Sequence, residues 1–377
     1  MSEELREWRE KHLNSISCSF CAAKWYNASL HLGHGFTNSC HLPLPHPIDL
    51  EAIKTNPAAL HNTDFKKEIR KMMLEGVKPA ECSYCWKIED IGRNNISDRV
   101  YKSQIYSSED IAALKELPWD ADIIPQTIEV SFDRTCNFAC SYCNSGYSTT
   151  WGKDIRDNGP YQKFKTSSAG AYYADGSWSE IHGKYNENNP YVQAFLEWWP
   201  ELSKTLQEIR VTGGEPLMST DVWKLIDLFA EEKYLFELGI NTNLGAKKSI
   251  IDSLIERSHD INNLTLFTSM ETTGAQAEYI RDGLDYESWC DNVERILGES
   301  NVKRIVVMMT INALCLFNIT DFMNHKTWNL RMLHQSVYIN RNKDFNILFH
   351  RIFFVEFLQN FGHHNIKCLL NDQFKKR

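Results

Sequence analysis

Apolar residues recur along this chain in two alternating rhythms. Short runs rich in β-branched and aromatic residues, QTIEVSF (126–132), LQEIRVTGGEPLMS (206–219), LFELGINTNLG (235–245), NLTLFTS (263–269) and VKRIVVMMTINAL (302–314), read as strands ending in polar or glycine-rich turns. Between them, DVWKLIDLFAEE (221–232) and KKSIIDSLIERSHD (247–260) carry apolar residues at helical spacing. Alternation of strand and helix predicts an α/β fold with a parallel sheet and crossover helices. Upstream, the pattern predicts one amphipathic helix over about 63–75, ended by Gly76 and Pro79. The charged run KIEDIGRNNISDRV after Cys85 reads as an exposed linker helix without a catalytic role.

The length of 377 residues leaves one large barrel or two domains open. With 42% hydrophobic and 24% charged residues, the chain has the composition of a folded globular protein. It contains no apolar run long enough for a transmembrane helix, and its charged first 20 residues are unlike a signal peptide, so the expectation is cytoplasmic residence without a membrane. A formal charge of -8 offers no footprint for nucleic acid, although a local basic patch stays open. Eleven cysteines without a secretory signal point to reduced thiols in metal or redox chemistry, and eight of them fall within the first 143 residues.

Three sit in SFDRTCNFACSYCNSG as Cys136, Cys140 and Cys143, directly after the 126–132 strand. Three thiolates on one short loop suit a [4Fe-4S] cluster with one open iron, whereas zinc prefers four ligands, commonly from paired Cys-x-x-Cys elements. Loops at the carboxyl ends of parallel strands are where α/β barrels carry their chemistry. These residues reproduce the CxxxCxxC signature, and the chain resembles the radical S-adenosylmethionine superfamily. The resemblance implies a partial six-stranded (β/α) barrel, a cluster that binds S-adenosylmethionine, and Tyr142 near the adenine. Gly213, Gly214, Glu215 and Pro216 match the family's GGEP element, which contacts the methionyl amino group. Asn241 and Asn243 fall where the family often places ribose contacts, Ser269 and Glu271 at the end of the next strand, and Asn312 just past the fifth. Arg281 matches an arginine that approaches the methionyl carboxylate in related maturases.

Ahead of the barrel, thirteen residues separate Cys21 from Gly35 and four separate Gly35 from Cys40, and Cys82-x-x-Cys85 follows. This spacing resembles the opening of twitch and SPASM domains, which bind auxiliary [4Fe-4S] clusters, although such domains usually follow the barrel. The competing assignment is a zinc ribbon built from Cys18-x-x-Cys21 and Cys82-x-x-Cys85, leaving Cys40 free; His31, His34 and His41 stand near enough in sequence to join a mixed site.

The expected organisation is therefore an auxiliary domain over 1–120, a partial barrel over 121–320 and a divergent tail over 321–377. The tail carries a local charge of +5 against -13 for the rest, and its segment 345–358 is the best candidate for a sixth strand or a closing helix. Residues 144–205 form a long aromatic insertion, a lid or a disordered loop, in which Trp151, Tyr172, Tyr173 and Trp178 would line a substrate channel or pack the insertion onto the barrel. His363, His364, Cys290, Cys315 and Cys368 carry no assigned role.

The resemblance implies an enzyme that reductively cleaves S-adenosylmethionine and uses the 5'-deoxyadenosyl radical to abstract hydrogen from a peptide or protein, with flavodoxin or ferredoxin as electron donor. A nucleotide or other small-molecule substrate, a non-catalytic iron-sulfur protein and a zinc-stabilised adaptor stay open.

Overall fold

The structure, a computed structural model, describes residues 2–92, 94–162 and 189–323 and the backbone of 335–340 and 345–348. The strands among these are β1 (Asn27–His31), β2 (Phe36–Asn38), β3 (His46–Pro47), β4 (Thr127–Ser131), β5 (Ala139–Cys140), β6 (Glu208–Thr212), β7 (Glu237–Thr242), β8 (Leu264–Ser269), β9 (Arg281–Asp282), β10 (Arg304–Met308), β11 (Gln335–Asn340) and β12 (Phe345–Leu348). The chain divides into two compact units: Met1–Thr135 with Ser145–Leu225 and Phe236–Leu238, and Cys136–Asn144 with Ile226–Leu235 and Gly239–Arg377.

In the first unit the strand order is β3-β2-β1-β4-β6. β1 and β4 run parallel, from Asn27 opposite Thr127 to His31 opposite Ser131, and β4 pairs in parallel with β6 from Thr127–Glu208 to Ser131–Thr212. β1 and β2 form a hairpin whose turn requires Gly35: its φ is +69°, and a Cβ there would stand 2.4 Å from the ring of Tyr191. The connection from β4 to β6 includes the helix Pro190–Leu202, which begins with Pro at its first position and is capped by Asn189 Oδ1 accepting from Tyr191 N and Val192 N. Its Val192, Phe195, Trp198, Trp199 and Leu202 are buried, with Phe195 edge-on to Phe132. Burial of each large side chain stabilises by about 1.5–3 kcal/mol.

The expected helix is Asp64–Leu74, with Thr63 Oγ1 accepting from Lys66 N as its cap. Ile69 and Met73 on its inner face join Phe20, Trp25 and Trp86 in one apolar cluster. The run after Cys85 is not an exposed linker. It spans the end of the helix Ser83–Ile91 and the start of Asp98–Ser103, and Arg99 is 2% exposed, donating to Glu89 Oε1 at 2.7 Å and to Phe20 O at 2.7 Å. Lys87 and Asp90 in this run are exposed, but Glu89 and Arg99 look solvated in sequence only because the partner of each lies ten residues away.

β1 lies within the span read as a separate auxiliary domain, yet it hydrogen-bonds beside β4. Five residues, NASLH, with Ala28, Ser29 and Leu30 all buried, carry no alternating pattern that marks them as a strand. Within the span 144–205, the described parts are the helices Thr149–Asn158 and Pro190–Leu202 and their flanks. Trp151 is half-buried, its ring edge-on to Tyr161, while Tyr172, Tyr173 and Trp178 lie outside the described residues.

In the second unit β7, β8 and β10 stand side by side, β8 and β10 in parallel from Thr265–Arg304 to Ser269–Met308. The helices Lys248–Ser258 and Tyr286–Glu299 bury Ile251, Leu254, Trp289 and Val293, and Trp289 Nε1 donates to Thr268 Oγ1 at 3.2 Å. β11 runs antiparallel to β10, and β12 runs antiparallel to β11. The neighbour of β10 is thus 335–340, and 345–348 forms the next strand outward; 349–377, with His363, His364 and Cys368, lies outside the described residues. No helix among the described residues is long and apolar enough to cross a membrane.

Candidate functional site

The loop 136–144 holds three thiols in the second unit. Phe138, 1% exposed, anchors it, and Cys143 N donates to Cys140 O at 2.9 Å. β5 and β9 set Cys140 opposite Arg281, and Ser141 N donates to Ile280 O at 2.7 Å. Asn243, at the end of β7, donates to Asn137 Oδ1 at 2.8 Å, and Asn137 Nδ2 donates to Gly245 O at 3.0 Å. Burial raises the thiol of Cys140, opposed by the Arg281 charge, and burial together with Cys140 pushes Cys143 up to about 12. Ionising these thiols therefore needs a compensating positive charge such as a metal group.

Arg281 and Glu271, 3% and 1% exposed, form a bidentate pair, Nε to Oε2 at 2.9 Å and Nη2 to Oε1 at 2.6 Å. Glu271 Oε1 also accepts from Tyr142 Oη at 3.1 Å and from Thr310 N at 3.1 Å. The remaining guanidinium nitrogen, Nη1, faces Cys140 Sγ at 3.7 Å, and the guanidinium carbon stands 5.3 Å from the Tyr142 ring centre. Burial works against the Arg281 charge, but Glu271, Tyr142 and Cys140 outweigh it and hold the group protonated. Burial and Glu271 raise the Tyr142 hydroxyl well above the ordinary range, against the lowering effect of Arg281, so it stays a donor. Sequence reasoning named Tyr142, Glu271 and Arg281 separately, as contacts to one ligand. The structure brings all three together and joins them to one another: one edge of the guanidinium, Nε and Nη2, is taken by Glu271, and an N–H of Nη1 is directed at Cys140.

Asn241 lies half-buried in β7 and Ser269 closes β8 opposite Met308. Asn312 caps a local turn, its Oδ1 accepting from Leu314 N at 2.9 Å and its Nδ2 donating to Thr310 O at 3.0 Å.

The GGEP element belongs to the first unit, where it is pressed against the chain that leads into the thiol loop. Gly213 has φ +123°, and a Cβ on Gly214 would meet Thr135 O at 2.2 Å and Arg134 O at 2.5 Å. Glu215 N donates to Thr135 O at 2.5 Å, and the carboxylate of Glu215, 1% exposed, accepts from Leu217 N at 3.1 Å, with Pro216 buried beside it. Arg134 Nη1 donates to Ser145 O at 2.5 Å, fastening the base of the loop.

The amino-terminal cysteines form a second group, also in the first unit. Cys21, Cys40, Cys82 and Cys85 line one cavity together with Lys24 and Ser39. Burial pushes Cys82 and Cys85 up to about 12, each further raised by Cys21 and Cys40. Cys18 is exposed, its thiol directed at Gly76 O at 3.4 Å, and does not line the cavity. His31, His34 and His41 do not line it either. Lys24, Ser39 and Thr310 were not singled out by sequence; the one signal for Lys24 is a lysine inside the otherwise apolar string SFCAAKWY.

Among the described residues, no three His, Cys, Asp or Glu side chains are arranged to hold a single metal ion. The cysteines of a cubane bind different irons rather than converging on one. Three thiols on one loop, one of them facing a guanidinium, and four thiols lining one cavity are donor sets that fit clusters.

The chain is 35% identical over 88 residues to the GTP 3',8-cyclase of Staphylococcus carnosus (22% of this chain, 26% of that protein) and 24% identical over 161 residues to that of Campylobacter lari (42% of this chain, 40% of that protein). It thus spans about a quarter to two fifths of the length of these curated relatives. The crystal structure of Streptococcus suis SuiB bound to S-adenosylmethionine superposes at a TM-score of 0.35 and 15% identity, covering 85% of this chain and 62% of that one. A family model, the Radical SAM superfamily, matches residues 130–323, from the strand that feeds the thiol loop to beyond β10. That match takes in just over half of the chain together with CxxxCxxC, GGEP and the Glu271–Arg281 pair, and the chain belongs to the Radical SAM superfamily.

Proposed function

We propose that this protein is a radical SAM enzyme with two iron-sulfur sites, one on Cys136, Cys140 and Cys143 and an auxiliary one on Cys21, Cys40, Cys82 and Cys85, and that it modifies a peptide or protein. When bound at the three-cysteine loop, a [4Fe-4S] cluster and S-adenosylmethionine supply the one-electron chemistry that removes a hydrogen atom from substrate. Arg281 and Glu271 fix the loop around Cys140, and Asn243 fixes it through Asn137. Glu215 is the residue for the methionyl amino group, as in the GGEP element it matches. A flavodoxin or ferredoxin in a reducing cytoplasm is the proposed electron source.

The observation that carries the two-site reading is the cavity shared by Cys21, Cys40, Cys82 and Cys85 from which Cys18 is excluded. It supports the twitch-like assignment over a ribbon that uses Cys18. The test is iron, acid-labile sulfide and zinc per chain after anaerobic reconstitution of a variant with Cys136, Cys140 and Cys143 all changed to alanine. About four irons should remain, should survive a further Cys18→Ser change and should be lost with Cys40→Ser. Zinc without iron would overturn the auxiliary cluster. The relatives that are GTP 3',8-cyclases favour a second reading, a nucleotide substrate. Formation of 5'-deoxyadenosine under dithionite, stimulated by nucleoside triphosphates but by no peptide, would select it.

A further inference from the structure

The four-cysteine cavity contains two polar groups whose hydrogen bonding is incomplete. Ser39 is 2% exposed, and its Oγ has no hydrogen-bond partner among the described residues. Lys24 is 4% exposed, and its Nζ donates to Glu81. An ammonium has three donors, so two more meet no acceptor among the described residues. Leaving a buried hydroxyl and a buried ammonium in this state is costly. By contrast, the other buried cation at the cavity, Arg99, is met by Glu89, Phe20 O and Asn14. Burial opposes the Lys24 charge, and the Glu81 carboxylate beside it helps to hold that charge in place.

We infer that Ser39 and Lys24 form a donor cradle for the sulfur atoms of the auxiliary cluster and set its reduction potential. The inference rests on the auxiliary-cluster reading above and deepens it. A four-thiolate cubane gains one negative charge when it takes up one electron, and that charge spreads onto its sulfurs. Hydrogen bonds and a nearby cation stabilise the reduced form more than the oxidised one and raise the potential. Glu81 moderates the effect by neutralising part of the Lys24 charge. A zinc ion with four thiolates offers no inorganic sulfide to these donors and undergoes no redox change.

The experiment is a dithionite titration followed by electron paramagnetic resonance, on the full chain with Cys136, Cys140 and Cys143 changed to alanine. In the parent chain, the auxiliary signal is the one unmoved by S-adenosylmethionine, which keeps the test available if the triple variant fails to fold. At the midpoint potential of the unsubstituted cradle, Ser39→Ala should lower the reduced-to-oxidised ratio about threefold and Lys24→Met about tenfold, each factor of ten being about 59 mV for one electron. Glu81→Gln should move the ratio the other way. An unchanged midpoint in Ser39→Ala and Lys24→Met, with iron content retained, overturns the cradle and leaves the auxiliary cluster standing. Absence of iron at this site before any cradle substitution overturns both.

Discussion

Arg281→Met isolates the buried pair that braces the thiol loop. Methionine keeps much of the stem and removes the charge and its donors. Glu271, 1% exposed, then retains Tyr142 Oη and Thr310 N as donors but no neutralising cation. Breaking one side of a buried ion pair costs about 3–5 kcal/mol, and the two surviving hydrogen bonds put this case near the lower end, about 3 kcal/mol. For a protein of 377 residues that is about 4 °C in Tm. The assay is urea unfolding of the iron-free chain, read by circular dichroism, for Arg281→Met, Glu271→Leu and the double variant. Each single change strands a charge and the double change strands none, so the double variant should cost less than the sum of the two by at least about 1 kcal/mol. A loss within about 0.5 kcal/mol of zero for Arg281→Met, or strict additivity in the double variant, would refute the argument that the pair is an electrostatic brace.

Two further outcomes follow from the first unit. Gly214→Ala places a Cβ 2.2 Å from Thr135 O, a contact with backbone that no side-chain rotation relieves, and Thr135 adjoins Cys136. The expected result is destabilisation by about 1–3 kcal/mol or more together with lower iron content at the three-cysteine loop; wild-type iron and Tm would show that the chain shifts freely. Burial pushes His34 down to about 4 and His46 down to about 3, while an unfolded histidine titrates near 6.5. Since the unfolded chain takes up these protons first, the stability held above pH 6.5 declines as pH falls toward 4. The urea midpoint should drop between pH 7.5 and 5.5, a range above carboxylate titration, and should drop less steeply in a His34→Gln/His46→Gln variant, where His61 and His31, also lowered by burial, keep part of the dependence; a flat wild-type profile would contradict it.

The strands β4, β6, β7, β8 and β10 were legible because each is a short run of buried β-branched and aromatic residues that ends where polar chemistry begins. β1 was not, since five residues with a serine and an asparagine carry too little periodicity to separate a strand from a loop. CxxxCxxC and GGEP announce their place by spacing. What each polar side chain does there depends on partners far apart in sequence, and Glu271 illustrates it: its acceptor capacity is filled from Tyr142, Arg281 and Thr310, on three different segments. Sequence supplied the residue types for a ligand-binding cluster, and only the fold showed that they bind each other. The place of Cys40, rather than Cys18, in the cavity had a similar cause. Cys18-x-x-Cys21 is the more familiar spacing, but Cys18 turns to Gly76 O, while the hairpin at Gly35 returns Cys40 to the cavity of Cys21.

The two sulfur sites solve one electrostatic problem in the same way. At each, burial keeps the thiols protonated, a buried cation stands beside them, and that cation is paired with a carboxylate, Arg281 with Glu271 and Lys24 with Glu81. A bare buried cation would be expelled or deprotonated, whereas a neutralised one stays and contributes direction rather than net charge. Glu271 takes two of the five N–H donors of Arg281 and one of the other three is directed at Cys140, while Lys24 keeps two for the cavity. On the two-cluster reading proposed above, the planar fork would direct a fixed donor at one ligand of an open cluster, and the rotatable ammonium would offer donors to a closed cluster that changes charge without changing ligands. The difference between arginine at one site and lysine at the other would then follow the difference between those two tasks.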